Sequence, residues 1–138
     1  IDIRTHNRAA MEAHPMFRKI TMLEGSSTDE RIAEQVRSIA SSHEKIIVLL
    51  DSCHTEEHVL REMEIYSPLV SAGSYLVVYD TLVEFEDKPH TDRPWGKGNN
   101  PYTAVQKFLL MHDEFSVDEE IEQKIVITSC PGGWLRRR

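Results

Sequence analysis

Two aspartates, Asp51 and Asp80, each end an apolar run: Lys45-Ile46-Ile47-Val48-Leu49-Leu50 before the first, Tyr75-Leu76-Val77-Val78-Tyr79 before the second. A carboxylate in such a place is costly unless it is paired, hydrogen-bonded or bound to a cation. Two of them on neighbouring strands could share a hard divalent ion such as Mg²⁺, with waters and a substrate oxygen completing its shell. Each could equally cap the helix that follows, where backbone N–H groups favour negative charge. His54 lies three residues past Asp51 and suits a general base; in the first turn of a helix it would serve as well as a polar surface residue. His54 and His58 stand four apart, but Thr55-Glu56-Glu57 between them does not give the H-E-x-x-H zinc pattern. Cys53 sits near a helix N-terminus, which favours a thiolate, yet no partner base accompanies it and it reads as an inert thiol. The sequence has no G-x-S-x-G, P-loop or G-x-G-x-x-G.

The elements that must position these groups follow from periodicity and turn residues. Ile1-Asp2-Ile3 reads as the tail of a strand. Asn7 to Ala13 reads as a short helix stopped by Pro15, and Ile20 to Leu23 as a second strand. Ser26, Ser27 or Thr28 should cap a helix running to about Ala40, with Ile32, Val36, Ile39 and Ala40 on one face. Lys45 to Leu50 is apolar without alternation, which predicts a parallel strand buried on both faces. A helix from Thr55 to about Tyr66, closed by Pro68, leads to the strand Tyr75 to Tyr79. The stretch 82–100 is long and irregular, with Pro89, Pro94, Gly96 and Gly98, and such loops are commonly functional. Its Trp95, His90 and Asp92 are candidates for a substrate-side loop. A helix opens at Pro101 and runs to about His112. Lys124 to Ser129 reads as a last strand, Gly132-Gly133 as a turn, and Arg136-Arg137-Arg138 as a solvated tail. Strand and helix in alternation predict one α/β domain over 1–138, a doubly wound, mostly parallel sheet. Such sheets hold ligands beyond the carboxyl ends of their strands, so Glu24 to Asp29, Asp51 to His54 and Asp80-Thr81 are the segments of interest.

Composition narrows the function further. Of 138 residues 40% are hydrophobic, enough for a packed core, and the formal net charge of −7 argues against a nucleic-acid partner. No apolar run reaches the length of a membrane span. The two cysteines, Cys53 and Cys130, show no paired spacing and read as reduced thiols in a cytoplasmic protein. The chain opens inside a strand-like run without an initiator Met, which reads as a fragment.

Several of these segments resemble one family. Ile1-Asp2-Ile3-Arg4-Thr5-His6-Asn7-Arg8, Leu23-Glu24-Gly25-Ser26-Ser27-Thr28-Asp29, Asp51-Ser52-Cys53-His54-Thr55-Glu56-Glu57-His58-Val59-Leu60, Tyr66-Ser67-Pro68-Leu69-Val70-Ser71, Gly73-Ser74-Tyr75-Leu76-Val77-Val78 and Pro131-Gly132-Gly133-Trp134-Leu135 together look like the cephalosporin hydroxylase family. That family has the Rossmann-like fold of S-adenosylmethionine-dependent methyltransferases. The resemblance implies that Ser27 and Thr28 contact the cofactor's adenine and that Asp2 lies near the ribose position. It implies that Asp51 and Asp80 hold a divalent metal such as Mg²⁺ and that His54 is the general base. A hydroxyl of a small molecule or sugar would be the methyl acceptor.

The chain departs from the family pattern at Cys53, where an Asp is usual, and at Tyr79, where a Glu is usual. The family's first strand and Gly-rich turn precede Ile1. An uncovered strand edge favours self-association, so a homodimer or larger homo-oligomer is expected. Two other readings stand beside O-methyl transfer: a non-catalytic binding or assembly module that keeps the fold, and an iron-dependent hydroxylase using His54, His58 and Asp51.

Overall fold

The computed structural model describes residues 5–87 and 91–138, with side chains of the first helix described from Arg8 onward. Asp2 and His90 lie outside the described residues, as does the strand expected at Ile1 to Ile3.

The described strands form one sheet in the order β1-β2-β4-β3. β1 (Val48–Leu50) runs parallel to β2 (Tyr75–Val78) with Val48 beside Leu76 and Leu50 beside Val78. β4 (Trp134–Arg137) lies antiparallel to β2 and to β3 (Phe115–Val117). The α/β class is as expected, but the parallel character is confined to one half of this sheet. The reason is connectivity: α3 (Glu56–Tyr66) carries the chain from β1 back to start β2 in the same direction, whereas the short turn from 129 to 133 sends β4 back along β2.

The core lies where α2 (Glu30–Ala40), α3 and α4 (Pro101–Leu109) meet the sheet. Leu76 and Val78 of β2 join Val59 and Met63 of α3, Ala104, Val105 and Phe108 of α4, and Leu135 of β4. Each of these apolar side chains other than Ala104 contributes about 1.5–3 kcal/mol on burial. α1 (Thr5–Glu12) and α5 (Glu119–Ile125) lie outside this cluster.

The structure corrects several expectations. Asp29, rather than Ser26, Ser27 or Thr28, caps α2, its carboxylate accepting from Arg31 N at 2.9 Å. Ile20 to Leu23 is not a strand: it has no partner strand to pair with among the described residues. Lys124 to Ser129 is not one either. The acidic run that Asp118 caps winds α5 through Ile125, and Val126 leaves it with φ +68°. The arginines at the end are not a free tail. Arg136 and Arg137 belong to β4, and Arg137 Nη1 donates to Pro68 O at 3.0 Å and Val70 O at 2.5 Å. β1 is not buried on both faces: Ile47 and Leu49 are 52% and 55% exposed, because the outer edge of β1 has no neighbouring strand among the described residues.

The long segment 82–100 is anchored rather than loose where it is described. Thr81–Phe85 form a 3₁₀ turn, and Gly96 and Asn99 bridge each other. Its last residue, Asn100, is fully buried and caps α4. The side-chain oxygen accepts from Tyr102 N and Thr103 N, while Nδ2 donates to Glu84 Oε2 at 2.6 Å and Gly96 O at 2.9 Å. Asn100→Ala removes the cap and leaves the Tyr102 and Thr103 N–H groups without their acceptor. It is expected to lower unfolding stability by about 2–3 kcal/mol, read by denaturant titration; a loss under about 0.5 kcal/mol would show the cap to be idle.

Candidate active site

The parallel register of β1 and β2 sets the two aspartates side by side. Leu50 pairs with Val78, and Tyr79 N donates to Leu50 O at 3.0 Å, so the chain leaves both strands at the same edge, at Asp51 and Asp80. Neither carboxylate caps a helix. Thr55 occupies the cap position of α3, and Asp80, cap residue of the 3₁₀ turn, makes no side-chain cap bond. Asp80 adopts φ 56°, ψ 27°, a left-handed conformation that costs any residue with a Cβ but which Asp tolerates better than most. What holds it there is the turn that precedes β4. Thr81, fully buried, donates to Pro131 O at 2.8 Å, and Leu82 N donates to Ser129 O.

His54 fills the gap between the two aspartates. Its Nε2 lies 3.6 Å from Asp51 Oδ1 and its Nδ1 3.3 Å from Asp80 Oδ2, with the ring itself mostly buried. The residue precedes the Thr55 cap, so it belongs to the strand-end loop and not to the first turn of α3. Trp95 of the 82–100 segment packs beside it, ring centroids 5.1 Å apart at 46°. The Trp95 indole N–H is buried with no acceptor among the described residues, and Arg93 lies over the ring. Asp92, by contrast, is exposed and lies 3.9 Å from Arg93.

Ligand atoms of Asp51, His54 and Asp80 all lie within 4.8 Å of one another. The two short His54 contacts use opposite ring nitrogens, only one of which could ligate a given ion, so a single ion would draw the three ligand atoms somewhat closer together. Two carboxylates with one imidazole suit Mn²⁺ or Fe²⁺ as well as Mg²⁺, since nitrogen ligation is weakest for the last. The set fits a divalent ion, with His54 able to serve either as a third ligand or as the base beside the ion. Cys53 Sγ points to Thr55 Oγ1 at 3.7 Å, and nothing places Cys53 or Tyr79 in this group.

The expected cofactor residues sit nearby but apart. Ser27, Asp51, Ser52, Glu62 and Tyr66 line one cavity of about 350 Å³ along the free edge of β1, whose remaining wall is apolar and includes Leu23, Ile32 and Leu49. That volume lies at the small end of ligand pockets. Ser27 Oγ contacts His58 Nε2 at 3.1 Å, and Thr28 Oγ1 meets Ser26 Oγ at 2.9 Å and does not line the cavity. His58 therefore faces Ser27, Ser52 and Glu62, and the triad imagined from His54, His58 and Asp51 does not assemble. The structure instead groups Asp80 with Asp51 and His54. Sequence reasoning missed the buried Glu62, although its place four residues after His58 marks it as sharing that residue's helix face.

Glu84 braces the 82–100 segment from within, tying its start to its end. It accepts from Gly98 N at 2.8 Å and from Asn100 Nδ2. The Gly98 N–H first, and the Asn100 amide second, hold its carboxyl below the ordinary range. A depressed folded pKa adds stability above the unfolded value, and that stability is lost as pH falls through the folded one. The Gly98 amide resonance should therefore titrate at lower pH than a free glutamate, and Glu84→Gln should abolish that titration. A midpoint at or above the ordinary carboxylate value would contradict it.

No helix among the described residues is long and apolar enough to cross a membrane. No solved structure matches the chain. Its residues 1–138 match the family model described as rhamnosyl O-methyltransferase/CmcI. The chain is 41% identical over 123 residues to proteins named rhamnosyl O-methyltransferase from Mycobacterium bovis (strain BCG / Pasteur 1173P2) and Mycobacterium tuberculosis (strain ATCC 25618 / H37Rv). Each alignment covers 86% of this chain and 47% of the relative. The protein of that name from Mycobacterium leprae (strain TN) is 36% identical over 121 residues, 51% of its own length. The chain thus spans about half the length of the curated relatives it matches. The cephalosporin hydroxylase name is a related label for the same kinship, and the chain belongs to the rhamnosyl O-methyltransferase/CmcI family of methyltransferases.

Proposed function

We propose that the Asp51–His54–Asp80 cluster is the catalytic end of an O-methyl transfer site, acting on a hydroxyl of a sugar such as a rhamnosyl unit. The observation that carries this reading is the side-by-side placement of the two strand-end carboxylates around a mostly buried imidazole. Asp51 and Asp80 would hold a divalent ion, and His54 would take the proton of the acceptor hydroxyl. Such an ion lowers the pKa of a bound hydroxyl and fixes its direction. S-adenosylmethionine would supply the methyl group, with Ser27 and Thr28 contacting its adenine and Asp2 its ribose. The wall of Trp95 beside His54 suits the apolar face of a sugar ring.

Cys53 and Tyr79 leave the ion two carboxylates instead of more. Cys53→Asp and Tyr79→Glu should each raise Mg²⁺ affinity, and the double substitution should raise it further. No gain in any of the three variants would count against descent from a metal site that once included these two positions. A purely binding or assembly role, with the fold kept and the chemistry lost, is the reading those two residues favour.

The free edge of β1, with Ile47 and Leu49 exposed, supports a homodimer. A folded monomer by sedimentation at micromolar concentration would sink that idea. Two unpaired thiols, Cys53 and Cys130, accord with a reducing, cytoplasmic setting.

A further inference from the structure

The buried face of α3 carries a polar stripe that the cluster above does not use. His58, Glu62 and Tyr66 stand at i, i+4 and i+8 and so share one side of the helix. Glu62 is 2% exposed. Its Oε1 accepts from Ser52 Oγ at 2.7 Å and lies 3.7 Å from His58 Nε2. The same His58 nitrogen is 3.1 Å from Ser27 Oγ and 3.3 Å from Ser52 Oγ. Tyr66 completes the stripe, its hydroxyl donating to Ser27 O at 2.6 Å. The other Glu62 oxygen, Oε2, is buried without a partner among the described residues.

Such a carboxylate is a poor choice for stability alone. A half-satisfied buried charge is penalised, and an apolar side chain of similar size often packs as well or better. What the stripe does achieve is placement. It joins two segments far apart in sequence, the turn at Ser26 to Thr28 and the strand end at Asp51-Ser52, to one rigid helix. The span from residue 58 to 66 is about 12 Å of helix, and both segments hang from it by hydrogen bonds. Ser52 is bonded directly to Asp51 through the backbone, so a shift of Ser52 moves that carboxylate.

We propose that His58, Glu62 and Tyr66 form a positioning device that fixes the Ser27-Thr28 turn relative to Asp51, coupling the two ends of the site. The chemistry given to each end rests on the proposed function; the coupling itself does not. Coupling of this kind is reciprocal and runs here through a contiguous hydrogen-bond network.

The test is ¹⁵N relaxation on the whole chain, with Mn²⁺ titration alongside, for the wild type, Ser27→Ala, Glu62→Leu and Glu62→Gln. Ser27 touches none of Asp51, His54 and Asp80. Even so, Ser27→Ala should lower the backbone order parameters of residues 51–54 from about 0.85 toward about 0.6. It should also weaken Mn²⁺ binding about fivefold. Glu62→Leu should loosen 26–28 and 51–54 together while β2 and α4 keep their order. Glu62→Gln retains an oxygen for Ser52 and should restore both. If Ser27→Ala leaves 51–54 unchanged, or Glu62→Leu loosens β2 and α4 as much as the two loops, the proposal is overturned. Should the wild type bind no Mn²⁺, the metal assignment falls by itself, and the order parameters still decide the coupling. Should Glu62→Leu not fold, Ser27→Ala still decides it.

Discussion

Asp51→Asn and Asp80→Asn should each lower Mn²⁺ affinity by about tenfold or more, and the double variant should bind no measurable metal. The amide keeps the size and one oxygen of the carboxylate but not its charge, so packing is preserved while the attraction for a cation is lost. Both side chains are substantially solvent-exposed, 61% for Asp51 and 41% for Asp80. The folded state should therefore survive, with stability within about 0.5 kcal/mol of the wild type. His54→Ala distinguishes two roles for the imidazole. If His54 is only the base, the variant keeps metal affinity and loses turnover; if it is a third ligand, affinity falls with the carboxylate variants. Paramagnetic titration with Mn²⁺ reads all three, and affinity unchanged in the double variant would contradict the assignment of this cluster.

Gly133→Ala should be the most damaging small substitution in the described chain. A Cβ at this position would stand 2.3 Å from Val78 O and 3.2 Å from Cys130. Those atoms are backbone of β2 and of the adjoining turn, and neither can swing aside. Gly133 O also accepts from Val78 N at 2.9 Å, and Gly133 N donates to Cys130 O at 2.8 Å. Relieving the clash therefore breaks pairing two residues before Asp80. Overpacking with loss of a strand hydrogen bond should cost about 3 kcal/mol or more, a fall in Tm of about 10 °C for a domain of this size. Gly96→Ala, where a Cβ meets nothing within 4 Å, is the control and should change stability by less than about 0.5 kcal/mol. Equal effects of the two substitutions would show that the close approach at Gly133 is not maintained in solution.

The site was legible where local signals and chain order agree. Apolar runs ending in Asp51 and Asp80 mark strands, the helical period of α3 lies between them, and a helix between two strands implies a parallel pair with both ends on one edge. That is enough to bring the two aspartates together. His54 was found for the same reason, although its place in the loop and its contact with both carboxylates depend on side-chain packing that spacing does not reveal. Trp95 was nameable as a candidate, but its packing beside His54 needed the anchoring of Asn100 and Glu84. Where pairing partner rather than pattern decides, the sequence misled. Val126-Ile127-Thr128 looks more like a strand than Trp134-Leu135-Arg136-Arg137 does, yet the latter pairs with β2 and β3, because β structure is set by neighbours more than by intrinsic preference. Glu62 escaped notice because a glutamate in a helix is ordinarily solvated. Only its neighbours at 58 and 66 on the same face indicate otherwise. The exposure of Ile47 and Leu49 likewise reflects which strand adjoins β1, a matter outside the strand's own sequence.

The central claim is that these strand ends form a methyl-transfer site, and calorimetric titration with S-adenosylmethionine and S-adenosylhomocysteine tests it most directly, in the presence and absence of Mn²⁺ or Mg²⁺. The account predicts saturable binding of both compounds and lower affinity in Ser27→Ala. Absence of binding in a sample shown to be folded, with either metal, would contradict it.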